Sequence, residues 1–239
     1  MGSTHCRAAP DLLHLRAATL FVLDANGDLI TSNEPYEPGR RPAPAFFLSW
    51  CRNSYICRFR HDIPHDIRRD ITESIAKSWP FVSDQEPDDT DALKPLLADY
   101  APKAKTGGGP AYLFPQDIAG AAGITLVERS NAGVMKNNFA DEIPEIDYVQ
   151  PCYVVLDEAA AVSMCRTVRR LPQAAEAGVE THAAHRGRGY AMKTVAAWAT
   201  AVMAEDRIPF YSTSWENKAS QRVAAKLGLT QCAAEFHIS

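Results

Sequence analysis

The sequence predicts an α/β protein in two parts. Residues 111–239 are expected to form a mixed sheet flanked by helices, and residues 1–110 an N-terminal α+β domain that packs against it. Two observations lead to this prediction. In the second half, segments of strand length alternate with segments of helical period over short joins, which is the pattern of an α/β domain. The first half is richer in strand-like segments and ends near a glycine run at 107–109, which marks a break.

The N-terminal elements begin with a hairpin expected over residues 18–32. Its turn contains an Asn-Gly pair, which suits the positive φ of a tight turn. After a proline-rich loop at 35–44, two strands are expected at 46–50 and 55–60. Pro64 then opens a helix, in which four isoleucines at four-residue spacing predict one buried stripe: Ile63, Ile67, Ile71 and Ile75.

The boundary between the two parts is placed after an acidic, polar stretch at 83–91, within the segment 106–110. The glycine run in this segment is followed by Pro110 rather than by Lys-Ser or Lys-Thr. It therefore lacks the residues with which a phosphate loop holds its ligand, and a flexible linker is predicted instead.

Nine elements are expected beyond this boundary. The strands are predicted at 123–127, 152–156, 160–167, 176–181, 208–213 and 230–238, and the helices at 131–143, 191–203 and 217–227. Strands and helices that alternate in this way predict a sheet covered by helices.

The composition argues against several classes of function. The 239-residue chain has a formal charge of −4 and a pI of about 6.0, whereas nucleic-acid-binding domains usually present a basic face. No apolar run approaches the roughly 20 residues of a membrane helix, and the first ten residues lack a signal-peptide core. Six scattered cysteines indicate reduced thiols rather than a disulfide framework or zinc site. We therefore expect a cytoplasmic protein that uses no metal and binds neither nucleic acid nor a membrane.

One strand-to-helix junction carries the residues of an anion site. The strand that ends at Thr181 leads through His182 into the segment 186–191, where a helix starts. Glycines at the start of a helix let a ligand approach the backbone, and the free N–H groups and the helix dipole favour an anion. Two arginines add positive charge for phosphate. The predicted cofactor-binding residues are Thr181, His182, Arg186, Gly187, Arg188, Gly189, Tyr190 and Ala191.

Two motifs identify this junction more closely. Arg186, Gly189 and Ala191 fit the pattern R/Q-x-x-G-x-G/A, and the segment 215–229 resembles an N-x-x-S-x-x-L-Y-x-K-L-G-F helix. The second motif is matched outright at Asn217, Ser220, Lys226, Leu227 and Gly228. In this order and at this separation, the motifs resemble the GNAT superfamily of acetyl-CoA-dependent N-acetyltransferases. The resemblance covers about residues 111–239.

The resemblance implies a splayed mixed sheet and direct transfer of an acetyl group from acetyl-CoA, as co-substrate, to a primary amine. The strand ending at Thr181 would pair with the pantetheine arm, and the segment 186–191 would hold the diphosphate. Asn217 and Ser220 share a helix face and would point at the cofactor. Taken alone, these two residues would be interpreted as an N-cap and a solvated hydroxyl.

The chain departs from the family pattern in two places. Ala224 stands where many relatives carry a tyrosine that protonates the leaving thiolate, and Tyr211 on the preceding strand is a candidate substitute, with packing as the alternative. Only about ten residues follow Gly228, one strand fewer than the family plan. The missing strand is absent, or comes from the N-terminal part, or comes from a partner chain in a homodimer.

Glu176 and Glu180 are the candidate general bases, because carboxylates are unusual in a central strand. The alternative for each is a structural carboxylate paired with an arginine, and His182 and His185 are other candidate bases.

An acidic run at 141–147 is either a solvated helix end or part of a site for a cationic acceptor, a small-molecule or peptide amine. The N-terminal aromatic residues are explained by core packing, with an acceptor pocket as the alternative: Phe46, Phe47, Trp50, Tyr55, Phe59 and Trp79.

Two other functions remain open at this point. A regulatory module could bind acetyl-CoA without turnover, as Ala224 at the acid position allows. A transferase could also be controlled by a ligand of the N-terminal domain.

Overall fold

The structure is a computed structural model that describes residues 9–34, 41–79, 87 and 90–239. The predicted proline-rich loop and the acidic stretch at 83–91 lie largely outside these residues. None of the helices in the described ranges combines the length and the apolar character needed to cross a membrane.

The elements of the N-terminal part are α1 (Ala9–Leu20), β1 (Phe21–Leu23), β2 (Leu29–Ser32), β3 (Phe46–Cys51), β4 (Ser54–Phe59) and α2 (His65–Ser78). Then follow β5 (Thr106–Leu113), β6 (Thr125–Leu126), β7 (Cys152–Asp157), β8 (Ala160–Arg170), β9 (Ala174–Thr181), α3 (Tyr190–Ala204), β10 (Ile208–Ser212), α4 (Lys218–Lys226) and β11 (Thr230–Ile238). Short 3-10 helices lie at Thr90–Leu93, Pro95–Leu97, Ala132–Met135, Ala140–Glu145 and Ala183–His185.

Nine of the described strands form one sheet in the order β4-β3-β11-β5-β10-β9-β8-β7-β6. Neighbouring strands are antiparallel throughout, except for the parallel pair β9 and β10. α3 packs on one face, where Val195, Trp198 and Val202 are buried, and α1 packs near β3, β4, β8 and β9 with Leu13 and Ala17 buried. The predicted mixed α/β sheet flanked by helices is confirmed.

The sheet opens between β9 and β10. Their pairing ends at Glu176 and Phe210, although β9 continues to Thr181 and β10 to Ser212. Over this length β9 stays paired with β8 on its other side. One edge of β9 therefore faces an opening within the sheet, as the splayed fold implied by the resemblance requires.

The strand that β11 needs as a neighbour comes from the N-terminal part of the chain. β3 pairs with β11 over residues 46–50 and 234–238, and the β3–β4 hairpin extends the sheet to its edge. The other side of β11 pairs with β5, a strand that spans the predicted boundary at 110/111.

The glycine run at 107–109 is part of β5, so the prediction of a flexible linker was wrong. A Cβ atom on Gly108 would lie 2.0 Å from the carbonyl oxygen of Glu235, and one on Gly109 would lie 1.9 Å from that of Thr213. Real Cβ atoms do not approach backbone so closely. The glycines therefore allow neighbouring backbone segments to approach closely, which is a common reason for glycine in a strand.

Two further predictions need correction. The helix expected at 131–143 is two 3-10 helices, because Phe139 has a φ of −142° between them and Pro144 in the second lacks an N–H. α1 was not predicted at all. Its buried face includes Arg16 and Thr19 beside apolar side chains, which obscures the apolar stripe by which an amphipathic helix is recognised.

Candidate active site

The loop before α3 has the backbone geometry of an anion site. Gly187 and Gly189 have φ values of 79° and 80°, in the left-handed region that glycine adopts without strain. Open space surrounds the position that a Cβ would take on either residue. Gly189 is the N-cap of α3 and has no side chain to occupy the first N–H groups of the helix. These groups therefore remain free to bind a ligand.

Both arginines of this loop are exposed. Arg186 Nε donates to the carbonyl oxygen of Thr181 at 3.2 Å, and an Arg188 nitrogen lies 3.9 Å from a carboxylate oxygen of Asp157. The same carboxylate lies 3.1 Å from Nε2 of His185, whose Nδ1 is 3.3 Å from that of His182. The loop thus presents guanidinium groups beside free backbone donors.

A cavity of about 420 Å³ lies between this loop, β9, β10 and α4. Ten of the predicted site residues line it: Glu180, Thr181, Arg186, Gly187, Gly189, Tyr190, Ala191, Tyr211, Asn217 and Ser220. Glu176, His182 and Arg188 are not among the lining residues. The structure therefore brings the two sequence motifs to one cavity, which lies at the opening of the sheet.

Tyr211 lies at the wall of this cavity. Its ring is buried, and its hydroxyl is 2.6 Å from Oγ of Ser220. Burial raises the pKa of Tyr211 to about 12, although the Ser220 hydrogen bond opposes the rise. Ala224 belongs to the same apolar cluster as the Tyr211 ring. Asn217 is the N-cap of α4 and accepts from the Ser220 N–H at 3.1 Å, so it caps the helix and also lines the cavity.

Glu176 lies outside the cavity, in a buried ion cluster that the sequence analysis missed. Arg16 of α1 donates to Glu176 and also to Glu235 of β11, whose Oε1 is 2.6 Å from Arg16 Nε. Ser212 Oγ donates to Glu176 Oε1 at 2.6 Å. The exposed fractions of Arg16 and Glu176 are 1% and 3%. Glu176 therefore has the environment expected if it is a structural carboxylate paired with an arginine rather than a general base.

Burial and the neighbouring charges have opposite effects on the pKa values of Arg16 and Glu235 in this cluster. Burial opposes the charge of Arg16, but the two carboxylates outweigh burial and raise the Arg16 pKa. Burial also raises the pKa of Glu235, against the effect of Arg16.

Glu180 has a different environment, since it is exposed and lines the cavity. Glu142, from the acidic run, accepts from Arg166 at 2.5 Å. Arg166 stands opposite Gly178 in the sheet register, two residues from Glu180 on β9. Burial raises the pKa of Glu142, Arg166 opposes the rise, and the charge of Glu180 adds to it. The negative charge of Glu180 therefore disfavours ionisation of Glu142.

Comparison with known proteins supports this description at the level of family. A family model described as GNAT acetyltransferase matches residues 151–234. The resemblance drawn from the two motifs is thereby confirmed over this segment. No curated protein matches the chain significantly.

The solved structures that match the chain are distant in sequence. An acetyltransferase of the GNAT family from Colwellia psychrerythraea is 13% identical, with 97% of both chains covered and a TM-score of 0.49. A GCN5-related N-acetyltransferase-like protein from Streptococcus suis is 16% identical, with 85% of this chain and 86% of that chain covered and a TM-score of 0.48. A GCN5-related N-acetyltransferase from Kribbella flavida is 15% identical over 62% of this chain and 63% of that chain, with a TM-score of 0.43.

Proposed function

We propose that this protein transfers an acetyl group from acetyl-CoA to a primary amine, by direct attack while both substrates are bound. One observation carries the proposal: the opening between β9 and β10 and the free N-terminus of α3 border the same cavity. Holding the two reactants side by side supplies much of the rate of such a reaction, because it removes the entropy cost of their meeting.

The residues around the cavity fit acetyl-CoA. The N–H groups at the start of α3 and the exposed guanidinium groups of Arg186 and Arg188 would bind the diphosphate. The pantetheine arm would lie along the free edge of β9. The His182 N–H donates to the carbonyl oxygen of Val162 on the β8 side, so the N–H of Thr181 points to the open side. That N–H would stabilise the negative charge that develops on the thioester oxygen.

Glu180 is our choice for the general base. An amine with a pKa near 10 is mostly protonated at neutral pH and must lose a proton before its nitrogen can attack. Glu180 is exposed at the cavity, whereas the oxygens of Glu176 are held by Arg16 and Ser212. The Glu142 carboxylate adds negative charge near Glu180 and would help to attract the ammonium form of the acceptor.

Tyr211 would assist the leaving thiolate mainly through a hydrogen bond. With a pKa of about 12, its hydroxyl stays protonated at neutral pH and can donate. A thiol has a pKa near 8.5, so full transfer of the Tyr211 proton to the thiolate is unfavourable. Because the thiol is this acidic, its thiolate can leave without being protonated when the C–S bond breaks. Ala224 at the usual acid position is therefore compatible with acetyl transfer.

The test is thiol release from acetyl-CoA in the presence of a panel of primary amines, with the acetylated product identified by mass spectrometry. Glu180→Gln should lower kcat by about a hundredfold or more, the usual contribution of a general base, and leave acetyl-CoA affinity unchanged. Glu73→Gln on the exposed side of α2 is the matched control and should retain full activity.

Two outcomes would contradict the proposal. A folded protein that binds acetyl-CoA but acetylates none of the amines would favour the alternative of a non-catalytic binding module. If Glu180→Gln is fully active and Glu176→Gln loses turnover without losing stability, the base is Glu176.

A further inference from the structure

A second cavity, of about 320 Å³, lies on the other side of β10. Tyr211 lines the first cavity and Ser212, the next residue, lines the second. Successive side chains of a strand point to opposite faces, so β10 forms a wall between the two spaces. Ser212 is two residues beyond the last pairing of β10 with β9, and the second cavity therefore also reaches the opening of the sheet.

The polar wall of this second cavity contains a carboxylate and a hydroxyl group. Glu235 lines it, and Ser212 connects it to Glu176 through a hydrogen bond of 2.6 Å. Arg16 is the shared partner of both glutamates. Arg169 also lines the cavity, and its partner Glu34, at 3.4 Å, is shared with Arg41. The carboxylate of Glu235 and the hydroxyl of Ser212 can accept hydrogen bonds from an ammonium group.

Another part of the lining is apolar. It consists of Leu20 at the end of α1, Phe21 of β1, Phe47 of β3, and Pro42 and Pro44 in the loop before β3. The rings of Phe21 and Phe47 meet edge to face with centroids 5.1 Å apart. Phe47 is buried and Phe21 is half-buried, so the ring of Phe21 is the one that another aromatic or bulky apolar group can contact.

We infer that the second cavity is the acceptor site, and that it selects small monoamines that carry an aromatic or bulky apolar group. The ammonium group lies toward Ser212 and Glu235, and the apolar group lies against Phe21. The volume is at the lower end of small-molecule sites, which sets the size of the acceptor. This inference rests on the proposed function, since it names the substrate class of the same reaction.

The experiment measures kcat and KM for 2-phenylethylamine and for spermidine, an amine without an apolar group, at saturating acetyl-CoA. We expect kcat/KM to be at least tenfold higher for 2-phenylethylamine.

Ser214→Arg places a cation at an exposed position that lines the second cavity. It should raise the KM for 2-phenylethylamine at least tenfold and leave the KM for acetyl-CoA unchanged. Ser78→Arg, on the exposed end of α2, is the matched control and should change neither constant.

A binding measurement separates this inference from the proposed function. In the presence of CoA, 2-phenylethylamine should raise the melting temperature of the wild type but not of Ser214→Arg. If no amine is acetylated but this shift is seen, the site assignment holds and the proposed reaction fails. If spermidine is preferred, or if Ser214→Arg acetylates 2-phenylethylamine like the wild type, the reaction stands and the acceptor assignment is overturned.

Discussion

Arg16 Nε donates to Glu235 Oε1 at 2.6 Å, across a separation of 219 residues in the chain. The same guanidinium binds Glu176, so one side chain of α1 connects β9 with β11. These strands are separated in the sheet by β10 and β5. The N-terminal helix is therefore fastened to two strands of the large sheet, β9 and β11, and this cluster ties the N-terminal residues to the segment that matches the GNAT family model.

Removal of Arg16 is expected to destabilise the fold severely. Arg16→Met keeps the length of the side chain but leaves Glu176 and Glu235 buried without their common cation. Breaking a buried ion pair in this way costs about 3–5 kcal/mol of the free energy of unfolding. Urea unfolding followed by circular dichroism measures the loss. Arg52→Met, on the exposed turn between β3 and β4, is the matched control and should stay within about 0.5 kcal/mol of the wild type. Equal stability of the two variants would show that the cluster contributes little.

The glycine run of β5 provides a second test. A Cβ on Gly109 would collide with the backbone of Thr213, so Gly109→Ala must move β5 or β10 and should lower the free energy of unfolding by about 1–3 kcal/mol. Gly120→Ala, where open space surrounds the Cβ position, should be neutral. Thermal unfolding of both variants makes the comparison. A flexible linker at 107–109 would tolerate both substitutions equally.

Whether a feature could be predicted from the sequence depends on how close its residues lie in the chain. The anion loop could be predicted because its glycines, its arginines and the start of α3 are adjacent in the chain. The Arg16 cluster could not, because its members are 160 and 219 residues apart and form no local pattern. Gly108 and Gly109 were misinterpreted because glycine serves both flexible segments and close backbone contacts. Which of the two applies depends on Glu235 and Thr213, whose positions follow from the folded sheet.

Acetyl-CoA binding should depend on the glycine at the N-cap of α3. Gly189→Asp forces a side chain into a backbone conformation with φ of 80° and places a negative charge where we expect the diphosphate. Acetyl-CoA should raise the melting temperature of the wild type, because a ligand that binds the native state stabilises it, and this shift should disappear in Gly189→Asp. Gly120→Asp, at an exposed position, is the control for the added charge and should retain the shift. A full shift in a folded Gly189→Asp variant would show that the diphosphate does not bind at this loop.

The last prediction concerns whether residues 103–239 can fold and act without the residues before them. A cut between residues 102 and 103 leaves β5 intact but removes α1, β3 and β4 from the fragment 103–239. The fragment loses the partner of β11 and the cation between Glu176 and Glu235, and it exposes Phe236 and Ile238, which are fully buried in the whole chain. Unpaired strand edges beside exposed apolar surface promote aggregation, so the fragment alone should be aggregated and inactive. Co-expression with residues 1–102 is the matched control and should restore a soluble complex, as gel filtration would show. A monomeric, active fragment 103–239 would mean that β3 and Arg16 are dispensable for the fold and for acetyl transfer.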